Sequence, residues 1–122
     1  RTSLNRVSIL ARKLTSVYAT VTTRMDFRPE TYKHSAGLIL YYDNMNYLNL
    51  RKYRSESLDS SALSVTQMEN GVRTVWQDDR VAVSDDACVW MRLTIRGRSR
   101  HHGMADLRGS RPARDLRRLR FL

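Results

Sequence analysis

Residues 36–53 read AGLILYYDNMNYLNLRKY, and the two halves of that string decide the fold. The first half is apolar on both of its faces, the pattern of a central strand in a sheet. Asp43, Asn44, Met45 and Asn46 follow, a cluster rich in short polar side chains that hydrogen-bond their own backbone in turns. The second half then alternates Tyr47, Asn49, Arg51 and Tyr53 with Leu48, Leu50 and Lys52. Successive strand residues point to opposite faces, so one side is greasy and the other mixes aromatic rings with hydrogen-bonding groups. The string predicts a β-hairpin whose return arm is half buried.

The flanking sequence repeats this pattern. In LTSVYATVTTRMDF (14–27), Val17, Ala19, Val21, Thr23, Met25 and Phe27 fall on one face and Tyr18, Thr20, Thr22, Arg24 and Asp26 on the other, as in a long half-buried strand. RPETYKHS, with Pro29, reads as a loop. Beyond the hairpin, a Ser-rich loop (RSESLDSS) leads into ALSVTQM, and VRTVWQ returns through Glu69, Asn70 and Gly71. Asn-Gly between apolar runs is a strong hairpin signal, because both residues tolerate the left-handed backbone that a tight turn needs. A short strand RVAV, an acidic turn SDDA and the alternating string CVWMRLTIR complete about six or seven strands. Helical periodicity is lacking except for a weak candidate in the first dozen residues. The expected fold is all-β, an antiparallel sandwich or barrel.

Composition narrows the class. A chain of 122 residues, 41% of them hydrophobic, supplies one domain with a modest core. The longest apolar run, near Leu38 to Tyr42, falls far short of a membrane span, and no leader-like segment opens the sequence, so the expected location is cytoplasmic. Cys88 is the single cysteine and has no partner for an internal disulfide. The net charge of +10 is unevenly spread. Residues 1–95 carry 13 basic and 10 acidic side chains, whereas residues 96–122 carry 9 and 2. The basic character belongs to a tail, and a boundary falls near Gly97.

Candidate chemistry is sparse. The acidic pairs Asp78–Asp79 and Asp85–Asp86 stand at turns, where neighbouring side chains diverge, and read as solvated turn acids rather than a hydrolytic pair. His34 has no nucleophile at a recognisable spacing, and His101 with His102 lacks a third ligand, so neither a catalytic nor a metal site is expected. The glycines at 37, 71, 97, 103 and 109 fall into no phosphate-binding spacing, and no cofactor is expected. What remains is a face of Tyr42, Asn44, Tyr47, Asn49 and Tyr53 with Arg51 between them, the mixture of flat rings, donors and acceptors that suits carbohydrate. The plainer alternative is that these rings pack against a loop or a neighbouring domain. Trp76 and Trp90 are expected in the core or between sheets.

Several stretches of the sequence resemble a known family. SILARK, then TSVYATVTTRMDFRPETYKHSAGLILYYDNMNYLNLRKY, ENGV and VWMRLTIRG are similar to the C-terminal β-sandwich of glycoside hydrolase family 43 β-xylosidases and α-arabinofuranosidases. The similarity covers residues 4–98 and is most specific over FRPETYKHSAGLILYYDNMNYLNLRKY. It implies a concanavalin A-like jelly roll packed on a five-bladed β-propeller of the same polypeptide. In that family the propeller holds the general acid and general base of an inverting hydrolysis, and the sandwich closes one side of the pocket for xylo- or arabino-oligosaccharide. These 122 residues contain none of that propeller, so the resemblance implies no catalytic residue here.

The resemblance departs after Arg98, where RSRHHGMADLRGSRPARDLRRLRFL stands in place of aromatic-rich closing strands. An Arg-rich, strand-poor string is what a GC-rich gene encodes out of frame, so residues 99–122 are read as a frameshifted or disordered end and the jelly roll as incomplete there. An unpaired edge would then favour a homo-oligomer. Two other functions fit parts of the chain. Arg108, Arg111, Arg114, Arg117, Arg118 and Arg120 would serve a nucleic-acid-binding module, but aromatic interleaving is missing apart from Phe121. A free-standing lectin-like domain shares the fold class alone.

Overall fold

The computed structural model describes residues 8–75, 80–96, 103–109 and 118–120. All regular structure among them is β-strand: β1 (Tyr18–Met25), β2 (Ser35–Asp43), β3 (Asn46–Ser55), β4 (Ser60–Glu69), β5 (Val72–Val75), β6 (Val81–Val83), β7 (Val89–Arg96), β8 (Gly103–Gly109) and β9 (Arg118–Arg120). They form two antiparallel sheets. The first has the order β1-β7-β8-β9, and the second β2-β3-β4-β5, with β6 also paired to β4. Residues 8–16 carry no regular structure, so the weak helical candidate is not realised over its described part.

The strand alternation read from the sequence sets the core. On β3, Leu48 and Leu50 point inward with Lys52, and across the ladder Leu50 faces Val65 while Lys52 faces Leu63. Sheet one answers with Val89 and Met91, and Leu50, Leu63, Val65, Val89 and Met91 form one buried cluster. Met25, Leu38, Leu48, Val81 and Val83 pack around it. Each such side chain taken out of water contributes roughly 1.5–3 kcal/mol. On β1 the half-buried residues Ala19, Thr23 and Met25 lie on the face read as apolar.

The turns follow their residue chemistry. Asn70 at φ 48° and Gly71 at φ 79° are both left-handed, the signature of the two-residue turn whose twist matches a hairpin. At the β2–β3 turn the Asp43 carboxylate accepts from the Met45 N–H at 2.8 Å and from the Asn46 amide at 3.0 Å. The two turns are clasped together, since the Gly71 N–H donates to the Met45 carbonyl at 3.1 Å.

Two expectations need correction. β2 is an edge strand of its sheet and not a central one. Its apolarity on both faces reports what covers those faces, the core on one side and a cross-strand aromatic row on the other; it carries no information about whether both edges are paired. The strands also number nine among the described residues, because pairing continues past Gly97. β8 lies against β7, from Val89 opposite Gly109 to Ile95 opposite Gly103, and β9 against β8. Ladder bonds are made by backbone groups, so an Arg-rich string can still pair.

Candidate functional site

The outward face of the second sheet gathers most of the residues singled out in the sequence. Register places them in cross-strand rows. Tyr41 stands opposite Tyr47, Ile39 opposite Asn49, Gly37 opposite Arg51 and Ser35 opposite Tyr53. β4 extends the rows with Met68, Thr66, Ser64 and Ala62. Directly opposed side chains on one face are neighbours; in these rows Ala62, Ser64 and Thr66 are buried and their β3 partners half-buried.

Arg51 is fixed from two sides. Its guanidinium lies 4.6 Å from the centre of the Tyr53 ring, and its Nε donates to the Ser64 hydroxyl at 3.4 Å. A charged plane stacked on a ring gains from the ring's negative face. Gly37, across from Arg51, has no room for a side chain, because a Cβ would overlap the Leu50 carbonyl oxygen. In the neighbouring row, Thr66 Oγ1 is buried without a hydrogen-bond partner among the described residues. A buried unpaired hydroxyl is costly and therefore uncommon.

The sequence placed Tyr42 and Asn44 on this face, and the structure puts both at its end. β2 carries a bulge between Tyr41 and Asp43, which leaves Tyr42 out of the pairing and 87% exposed. Tyr41 takes the row position opposite Tyr47, and its hydroxyl donates to Asn44 Oδ1 at 2.6 Å. A bulge adds one residue to a strand, so counting by twos fails beyond it. Tyr47, Asn49, Arg51 and Tyr53 do share the face, each half-buried.

Other candidates separate. Trp90 is exposed on the first sheet and not in the core. Its place opposite Arg24 on the outward side of β1 and β7 follows from the same alternation that buries Val89 and Met91. Trp76, the Asp78–Asp79 pair and His101–His102 lie outside the described residues. His34 sits exposed in a turn, its N–H donating to the Thr31 carbonyl at 2.9 Å. Among the described residues no group of three or more His, Cys, Asp or Glu is placed to hold a metal ion.

Asp85 does more than a solvated turn acid. Its Oδ1 accepts from the Ser61 N–H at 2.8 Å and the Ser61 hydroxyl at 2.6 Å, and Oδ2 accepts from Arg54. Arg54 in turn reaches Asp59 at 2.7 Å. The hydrogen bonds from Ser61, then those from Arg54, hold the Asp85 carboxyl below its ordinary range against the opposing effect of burial. The turn is also pinned from within, because Lys52 Nζ donates to the Asp85 and Ala87 carbonyls, each at 2.9 Å. Lys52 has no accessible surface, and burial lowers its pKa against the opposing pull of Asp85, Asp26 and Asp86. The alternation assigned Lys52 to the greasy side, which was the available signal for this pin. Its partners lie more than thirty residues away in sequence and could not be read.

The outward face of the second sheet differs from this inner pin. It offers a half-buried row of rings, amides and one stacked cation on a rigid sheet, suited to binding or packing. Known proteins agree with that architecture. A solved xylan beta-1,4-xylosidase from Bacillus halodurans C-125 superposes with a TM-score of 0.84 at 21% identity, over 98% of this chain and 22% of that one. A xylan 1,3-beta-xylosidase from a Vibrio species is 33% identical over 89 residues, 73% of this chain and 16% of the relative. This chain thus spans less than a quarter of either protein. The family model for the beta-xylosidase C-terminal concanavalin A-like domain matches residues 1–106, and the chain belongs to that family.

Proposed function

We propose that this sandwich is the accessory C-terminal domain of a family 43 glycoside hydrolase of the β-xylosidase or α-L-arabinofuranosidase type. It packs on a catalytic propeller of the same polypeptide and bounds the pocket that receives xylo- or arabino-oligosaccharide. The observation that carries this reading is the outward face of the second sheet, where Tyr47, Asn49, Arg51 and Tyr53 stand in register on a domain of this family. Rings present flat apolar surface, amides and guanidinium present donors, and a sugar needs both. Tyr42 and Asn44 add a rim at the hairpin tip. The contribution is non-covalent: the domain orients and encloses, and the reacting carboxylates belong to the propeller.

The test is calorimetric titration of the full-length polypeptide with xylobiose and with arabinose-capped oligosaccharide. Arg51→Ala and Tyr47→Ala are expected to weaken binding by about tenfold, the effect of losing one charged hydrogen bond or one ring contact. Unchanged affinity in both variants would overturn the assignment of this face.

A further inference from the structure

The outward face of the first sheet carries chemistry that the accessory role leaves unused. Strand alternation puts Val89, Met91 and Leu93 in the core, so Trp90, Arg92 and Thr94 stand on the other side, beside Thr20, Thr22 and Arg24 of β1. Hydrogen bonds tie this face together. Arg92 Nε donates to Thr22 Oγ1 at 3.2 Å, and the Thr20 hydroxyl donates to that of Thr94 at 3.4 Å. Trp90 lies directly opposite Arg24 and is 43% exposed. Its indole thus offers a flat apolar plate to a ligand, where packing inside the domain would have hidden it.

The two arginines are anchored by their inner nitrogens. Arg24 Nε donates to Cys88 Sγ at 3.1 Å, as Arg92 Nε does to Thr22. Neither guanidinium meets a carboxylate among the described residues. The two Nη groups of each form an open fork, the arrangement that takes a carboxylate through two parallel hydrogen bonds. Anchoring beforehand reduces the side-chain freedom lost on binding. β1 and β7 contribute no acid to this face. On the far flank the register sets Arg108 opposite Trp90 and Asp106 opposite Arg92. The row through Trp90 therefore runs Arg24, Trp90, Arg108, a ring position between two cationic ones.

The complement of such a row is an anionic ring. A sugar stacks its C–H groups on the indole, and a carboxylate at the edge of that sugar meets a guanidinium fork. A nucleic-acid strand needs several rings in succession to stack its bases. Tyr18, the other exposed ring on this side of β1, stands six residues from Arg24, about 20 Å along the strand.

We propose that the outward face of the first sheet is a second carbohydrate site, separate from the face of Tyr47, Asn49, Arg51 and Tyr53, and that it binds a uronic acid unit. Trp90 stacks the sugar ring, and the Arg24 and Arg92 forks take its carboxylate. The choice of carbohydrate rests on the accessory-domain reading; the need for an anion rests on the arginines alone. Such a site holds an acid-substituted polymer while the second sheet faces the neutral sugars.

Affinity electrophoresis of the full-length polypeptide tests this, in gels cast with xylan bearing glucuronic acid branches and with the same xylan after its carboxyls are reduced to alcohols. Binding is expected to be about tenfold tighter in the first gel. Trp90→Ala, and Arg24→Gln combined with Arg92→Gln, are each expected to abolish that difference. Arg24→Lys keeps the charge without the fork and is expected to lose several-fold in affinity. Arg51→Ala is expected to leave the difference between the gels intact. Equal binding in both gels would overturn the anionic ligand, and a difference that survives the Trp90 and double arginine variants would overturn the site; both results leave the accessory role standing. Equally tight binding of single-stranded DNA, lost in the same variants, would overturn the carbohydrate assignment. Xylobiose affinity unmoved by Arg51→Ala and Tyr47→Ala, with the gel difference intact, would instead sink the assignment of the second-sheet face and support this site.

Discussion

Arg51 and Lys52 are neighbours on one strand and do opposite work. Lys52 points inward, has no accessible surface, and spends its ammonium on two backbone carbonyls of the 84–87 turn. Arg51 points outward, half-buried, stacked on Tyr53 and bonded to Ser64. The difference is not one of residue type, since both are cations, but of parity along the strand. The inward position makes a cation a pin for a distant turn; the outward position makes it part of a surface. An outward row held in register needs a rigid support, and the inner side of β3 supplies it.

The strongest way to break this contrast is to remove the pin. Lys52→Met leaves the Asp85 and Ala87 carbonyls unpaired in the interior, and the expected loss is about 3 kcal/mol, read from urea unfolding. Relief of the buried charge offsets part of the cost, so a neutral or stabilising result would show that the two carbonyls find water or other donors. Gly37→Ala attacks the support from the outside, by driving a methyl against the Leu50 carbonyl. About 2 kcal/mol of destabilisation is expected, as for other overpacked sites, with loss of β2–β3 amide protection in hydrogen exchange.

Titration sharpens the contrast further. Asp85 has a folded value below its ordinary 3.8, so its contribution is full above that pH and lost as pH falls through the folded value. Lys52 lies below its ordinary 10.5, so the folded chain binds fewer protons there than the unfolded one, and stability rises with pH as 10.5 is approached. Both groups therefore make stability increase with pH, in separate windows. Asp85→Asn is expected to flatten the acid window and Lys52→Met the alkaline one, in unfolding curves measured across pH. The smallest effect belongs to Arg51→Ala, less than about 1 kcal/mol in stability for a partly solvated stack, although it removes a contact of the outward face.

The parity of β3 and β7 was legible in the sequence, because Leu48 and Leu50, and Val89, Met91 and Leu93, recur at every second position. The turn at Asn70–Gly71 was legible because few residues adopt two left-handed conformations in succession. The edge position of β2 was not, since alternation reports faces and not partners. Nor was the role of Asp85, whose bonds to Ser61, Arg54 and Lys52 depend on the turn folding over β3 and β4. Within the candidate face, Tyr47, Asn49, Arg51 and Tyr53 were found by counting, and Tyr42 was misplaced by one bulge that counting cannot see. Thr66 and Ser64 joined the face only when β4 was laid beside β3. β8 and β9 were hidden by composition, because Arg-rich strings carry little of the β-branched and aromatic signal by which strands are read.

The most direct test of the accessory role is the pH profile of kcat and KM for the full-length polypeptide on an aryl β-xyloside, with Tyr47→Ala and Arg51→Ala beside the parent. If the sandwich encloses the sugar and supplies no reacting group, KM rises about tenfold while kcat and both limbs of its pH profile stay within about twofold. A collapse of kcat with loss of one limb would place a proton-transferring group on this face and contradict the accessory role.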